Sequence, residues 1–282
     1  MGQPVTRDLL GSLSGLPDGQ SGTRGILNPV NGFAHFSLHR ELPHPELSGF
    51  LQRFWSVTWD LEGQRPFQQE ILPNPCVNLS SSPTGFEIHG PGTRRFLTEL
   101  SGRGRVCGAK FTPAGFRAFS SLPAARLVDC VLSVTEVTGR TPCPPADDNL
   151  TSFRPTIENF LRTFESAQDQ RMDLANELVA LAQADRSISR AENLARVAGM
   201  SVRSLYRLFE HYIGVSPKWV IRRSRVQQAA DEVALGQQVD WSQLAQELGY
   251  HDQAHFIRDF RDQVGFTPGN YARCCAAAVA RH

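Results

Sequence analysis

The chain has 282 residues, 40% of them hydrophobic, and its 29 Lys and Arg nearly balance its 28 Asp and Glu, for a formal charge of +1. That length gives room for two ordinary domains with separate cores. The balance excludes a polycation, the composition excludes a disordered chain, and no apolar run approaches the length that crosses a bilayer, so no membrane partner is expected.

Residues 1–25 are rich in Gly, Ser and Pro without periodicity and read as a mobile tail. From residue 26 the character changes. Arg53–Leu61 alternates strictly, with Trp55, Val57, Trp59 and Leu61 on one face and Phe54, Ser56, Thr58 and Asp60 on the other, which is the pattern of a half-buried strand. Further short strands are expected near 68–72, 76–81, 85–89, 94–99 and 105–111, punctuated by Pro73-Asn74-Pro75, Ser82-Pro83, Gly90-Pro91-Gly92 and Pro113. Many short strands between Gly/Pro turns indicate a sandwich or small barrel over 26–148. Residues 115–137 are ambiguous, with a helix near 115–121 as one reading. The stretch 138–149, TGRTPCPPADDN, continues neither helix nor central strand, so the domain boundary falls there.

A linking helix is expected at 149–170, centred on 155–167, with Ile157, Phe160, Leu161 and Phe164 on one stripe; it serves either as a dimer seam or as a cover for its own β domain. A second helix over 172–184 opens a helical domain at 171–275, and 276–282 are left as a tail. The fold class is therefore α+β in two domains. Six cysteines, at 76, 107, 130, 143, 274 and 275, show no metal-binding or disulfide spacing, and no secretory leader is legible, so reduced thiols in a cytoplasmic protein are expected.

The helical domain contains a duplication. Gly199–Pro217 aligns with Gly249–Pro268 at an offset of 51: Ser201 with Asp252, Leu205 with Phe256, Arg207 with Arg258, Phe209 with Phe260, Gly214 with Gly265 and Pro217 with Pro268. Just upstream, Leu194-Ala195 and Gly199 match Leu244-Ala245 and Gly249 at 50, so the second copy has one extra residue in its turn. Each copy reads as helix, glycine turn, N-capped helix, with Leu205, Leu208, Phe209 and Tyr212, or Phe256, Phe260 and Val264, on the inner face. Arginines on the outer face are what a DNA-reading helix-turn-helix requires. Between Arg203 and Arg225 six basic residues (Arg203, Arg207, Lys218, Arg222, Arg223, Arg225) face one acid, Glu210, a local field suited to phosphate.

The strings S-x-R-x-L-x-R-x-F with G-x-S-P, then H-F-I-R-D-F-R with G-F-T-P and Tyr271, resemble the two halves of the AraC/XylS transcription-regulator domain, over roughly 171–273. The resemblance implies seven helices, a central helix joining the two units, and two reading helices in successive major-groove turns of double-stranded DNA. It places base contacts at Arg203, Tyr206 and Arg207, then at Gln253, Ala254, Ile257 and Arg258. Ser201, Ser204 and His255 complete the expected DNA-contact set. It also implies a cupin-like N-terminal domain sensing a small-molecule effector, a homodimer, and contact with RNA polymerase if the protein activates.

Arg203, Arg207 and Arg258 are the strongest contact candidates, because guanidinium pairs bidentately with guanine and also suits phosphate. Ala254 and Ile257 suit thymine methyls, whereas Gln253 and His255, near a helix start, suit phosphate. His251 and His255 imitate an H-E-x-x-H zinc site, but the acid between them is a capping Asp252 and no third ligand is evident. His35, His39, His44 and His89 lack strand spacing for a metal. Trp55 and Trp59 are weak candidates for lining an effector pocket, and serve equally as core. No cofactor, metal or catalytic constellation stands out, and an enzyme is not expected. The competing readings are a DNA-repair protein using the same module, disfavoured by its scattered cysteines, and an adaptor whose paired units bind protein.

Overall fold

A computed structural model describes residues 25–165, 169–234 and 239–279. The expected tail at 1–25 therefore lies almost wholly outside the described residues. A β-rich N-terminal domain precedes a helical C-terminal one. After a short helix α1 (Pro29–Phe33), strands β1 (Ser37–Glu41), β2 (Leu51–Leu61), β3 (Phe67–Ile71), β4 (Asn78–Ser82), β5 (Gly85–His89), β6 (Phe96–Leu100), β7 (Gly102–Phe111) and β8 (Val131–Ser133) follow in order. Six of them form one sheet in the order β1-β2-β7-β4-β5-β8, and β3 pairs with β6 in a separate ladder, so the domain is two sheets rather than one closed barrel.

The alternation in β2 decides which side is which. Phe54 and Ser56 are buried under the main core, while Trp55, Val57 and Trp59 point the other way and are half-buried. Val57 and Trp59 pack there with Phe36, Leu61 and Leu100 in a small apolar cluster reaching Phe67 of β3. β2 and β7 register places Trp55 opposite Gly108 and Trp59 opposite Gly104. A Cβ at either glycine would overlap the facing indole ring. The two tryptophans thus fill the space that the glycines leave, as aromatic rings across from glycine do in other sheets. Residues 115–119 form a 3-10 turn rather than an α-helix, and a second such turn spans Ala124–Leu127 before the short helix α2 (Val134–Thr138).

Helix α3 (Leu150–Arg162) begins five residues earlier than the stripe suggested, because Asn149 caps it by accepting from the Ser152 amide at 2.9 Å. Pro155 is accommodated inside it. Its apolar stripe lies on the main sheet, with the Phe153 ring edge-on to Phe54 at 6.3 Å and Ile157 fully buried. Burying each such side chain is worth roughly 1.5–3 kcal/mol. Of the two roles expected for this helix, covering its own β domain is the one its packing serves. Helices α4 (Gln170–Ala184), α5 (Ala191–Val197), α6 (Val202–Tyr212), α7 (Pro217–Ala234), α8 (Trp241–Glu247), α9 (Gln253–Val264) and α10 (Pro268–Val279) make up the C-terminal domain among the described residues. The expected tail at 276–282 is a correction: α10 runs on through it to Val279, with Cys275 and Ala278 buried.

The two domains share apolar cores. One cluster runs from the sheet through α3 and α4 to Leu205 and Phe209 of α6. A second joins Leu27 and Leu72 of the N-terminal domain to Val226 of α7 and Phe256 and Phe260 of α9.

Candidate nucleic-acid interface

The duplicated modules fold alike, for a local reason. Gly199 and Gly249 take positive φ, +61° and +71°, a conformation that side chains with a Cβ resist. The amides that follow then close each helix on itself, Met200 donating to the Ala195 carbonyl at 3.0 Å and Tyr250 to Ala245 at 2.9 Å. Next come the caps. Ser201 Oγ accepts from the Ser204 amide at 3.1 Å, and Asp252 Oδ1 accepts from His255 at 2.7 Å. That amide bond, aided by His251, holds the Asp252 carboxyl below its usual range. The extra residue of the second turn is the exposed His251, which precedes α9 and pairs with Asp252 at 3.2 Å.

Periodicity then decides what faces out. Leu205, Leu208, Phe209 and Tyr212 of α6, and Phe256, Phe260 and Val264 of α9, are buried. Ser201, Arg203, Ser204, Tyr206 and Arg207 are exposed, as are Gln253, Ala254, His255 and Arg258. Ile257 alone is half-buried and packs against the second core, so packing accounts for part of its apolar character. Arg203 and Arg207 make no ion pair among the described residues. Helices α6 and α9 therefore each present one solvated face with arginine at its centre. Between the units, α7 has 18 residues, about 27 Å at 1.5 Å per residue.

The basic field expected over 203–225 is smaller than it reads. Arg222 pairs with Asp259 at 2.7 Å and Asp262 at 3.1 Å, bracing α7 against α9. Arg223 is buried and donates to the carbonyls of Pro73 and Leu72 and to Gln227 Oε1. Arg225 donates to the Ser189 carbonyl at 2.8 Å and lies over the Tyr250 ring. Three of the six cations are thus structural, because α7 runs through the middle of the domain and has little free surface. Arg203, Arg207 and Lys218 remain exposed.

The remaining candidates separate from this interface. His255 faces Asp259 at 3.8 Å, and among the described residues no three His, Cys, Asp or Glu side chains gather as a metal group. His35 stacks on Phe67, His39 and His44 pair with Glu41 and Glu46, and His89 bonds Ser80 Oγ at 2.8 Å. Trp55 and Trp59 sit over Gly108 and Gly104, and Trp59 donates to the Ser101 carbonyl at 3.0 Å. No helix among the described residues is long and apolar enough to cross a membrane.

The β domain is docked beside the first unit. Arg117 approaches His211 of α6 at 3.1 Å, and Tyr212 donates to Asp169. The Ala124–Leu127 turn stands against the end of α6. Between them runs a groove of about 660 Å³, lined by Arg126 and Pro123 on one side and Ser204, Arg207 and His211 on the other, with Arg171 at its margin. Arg126 and Arg171 carry no motif or periodic signal, so only the folded chain reveals them next to a reading helix.

Residues 194–273 match a family model described as a helix-turn-helix domain, and residues 39–133 match one described as a domain of unknown function (DUF6597). An uncharacterized HTH-type transcriptional regulator of Haemophilus influenzae is 33% identical over 106 residues, 38% of this chain and 35% of that protein. The XylDLEGF operon transcriptional activator of Pseudomonas putida is 33% identical over 99 residues, 34% of this chain and 30% of that one. The chain thus spans about a third of the length of the curated relatives it matches. Among solved structures, ToxT of Vibrio cholerae is similar over 85% of this chain and 98% of its own, at 12% identity and a TM-score of 0.38. Twin capped helix-turn-helix units have the form of a DNA-binding module. Over 194–273 the chain carries a helix-turn-helix domain of the AraC/XylS type.

Proposed function

We propose that the protein recognises a double-stranded operator by placing α6 and α9 in neighbouring major-groove segments. Arg203, Arg207 and Arg258 contact bases, Tyr206, Ala254 and Ile257 contribute beside them, and Ser201, Ser204, Gln253 and His255 hold phosphates near the helix starts. The observation that carries this is the pair of identically capped helices, each burying its apolar face and leaving its arginine face in solvent. A protein-binding adaptor would have less need of unpaired guanidinium groups on the first of them.

The β domain is read as the signal-receiving part. It shares apolar cores with both units, so a small molecule that shifted it would alter how α6 and α9 are presented. Homodimerisation, and contact with RNA polymerase in the case of an activator, belong to the same proposal. Selection of bound duplexes from a random pool with purified full-length protein tests it. A single enriched motif with two half-elements is expected, its affinity falling steeply with salt. A binding constant flat between low and moderate salt contradicts the reading. So does binding that excess protein-partner competitor removes and nonspecific DNA does not.

A further inference from the structure

We infer that the N-terminal domain forms part of the DNA interface: Arg126, with Arg171 at the start of α4, makes a phosphate-binding wall alongside the first reading helix. The inference rests on the proposal that α6 enters a major groove.

Three observations lead to it. First, position: Arg126 lines the same groove as Ser204 and Arg207, although 78 residues separate Arg126 from Ser204 in the chain. Second, charge: Arg126, Arg171 and Arg207 line the groove with one acid, Glu210, while a second, Asp169, stands beside Arg171 and bonds Tyr212. Arg126 and Arg171 are exposed, and neither makes an ion pair among the described residues. Three arginines around one open groove repel each other unless an anion lies between them.

Third, the wall is held in place. The Ala124 carbonyl closely approaches Gly214 and Arg117 approaches His211, which fixes the end of α6 against the N-terminal domain, while Tyr212 donates to Asp169 at the start of α4. The docking nonetheless leaves Ser201, Arg203, Ser204, Tyr206 and Arg207 exposed. A contact meant to silence the helix would cover those residues. This one stands beside them, where the sugar-phosphate strand bordering an occupied major groove has to pass.

The test uses the full chain with the alanine variants R126A and R171A, the conservative variant R126K, and R207A as reference. Binding to the selected operator and to a scrambled duplex is followed by fluorescence anisotropy across a salt series. Each phosphate contact contributes about 0.9 to the slope of log K against log salt. R126A is expected to lower that slope by about one and to weaken both duplexes by a similar factor of roughly 3–10, with R126K retaining the slope. The preference for operator over scrambled duplex should not change. A slope unaltered in R126A and R171A overturns the inference. So does inorganic phosphate raising the melting temperature of the wild type but not of R126A while the DNA slope stays the same, which would make the groove a small-anion site. Should the wild type bind no duplex, or R207A bind as selectively as wild type, the underlying DNA-reading proposal fails instead.

Discussion

The carbonyl oxygen of Ala124 lies 2.7 Å from where a Cβ on Gly214 would stand, and Gly214 itself has a φ of +89°. The residue that ends the first reading helix is therefore glycine for two reasons. Backbone conformation demands it, and so does the close approach of the other domain.

Gly214→Ala is accordingly expected to destabilise the protein by about 1–3 kcal/mol, since it combines a strained φ with a clash against backbone that cannot swing aside. The equivalent Gly265→Ala also has positive φ, +87°, but would meet the movable guanidinium of Arg95, so its cost should be smaller. Urea unfolding of both variants checks the order. Equal losses would mean that the Ala124 backbone yields as readily as the Arg95 side chain.

Arg207→Ala should abolish discrimination between operator and scrambled duplex while leaving the thermal midpoint nearly unchanged. The side chain is exposed and makes no ion pair among the described residues, so its removal opens no cavity and strands no buried charge. A midpoint lowered by several degrees would assign the residue to the fold instead.

The two N-caps allow a matched comparison. Ser201→Ala and Asp252→Ala each leave helix amides without their side-chain acceptor and should each lower stability, by about 1 kcal/mol at Ser201. The charge at Asp252 adds a pH signature. Its carboxyl lies below its ordinary value, so the stabilisation is complete above the unfolded carboxylate range and is lost as pH falls through the folded value. Denaturation of wild type and Asp252→Asn from neutral to acid pH should therefore converge at the acid end. Parallel curves would refute the assignment.

Burial, and then the Arg117 guanidinium, hold the His211 imidazole below its ordinary value. In its neutral form the ring accepts from Arg117 across the domain boundary. The unfolded ring binds a proton more readily than the folded one, so this contribution is present above about pH 6.5 and declines as the pH drops below it. Amide exchange in the 115–127 segment should accelerate in that window, and Arg117→Ala should abolish the acceleration. Exchange insensitive to pH after correction for its intrinsic rate would show that the contact carries no docking energy.

Much of this was legible in the chain, because local rules governed it. The offsets of 51 and 50 gave the duplicated modules and the longer second turn, and helical periodicity separated Leu205 and Phe209 from Arg203 and Arg207. Alternation gave β2, and Gly/Pro punctuation located the neighbouring strands. What stayed hidden depended on distant partners. Nothing beside Arg222 or Arg223 in the chain shows that Asp259 and the Pro73 carbonyl will claim them, so both were read as part of a phosphate field. Strands β1 and β8 are short, and pairing with β2 and β5 is what makes them strands. Arg126 looks like any loop arginine until the chain is folded.

The buried guanidinium of Arg223 fastens α7 to the Leu72–Asn74 corner, and its neighbour Arg222 fastens α7 to α9. Adjacent residues on one rod thus grip the β domain on one side and the second reading head on the other. A load on that corner is therefore carried along a single helix to the second unit, without passing through the first.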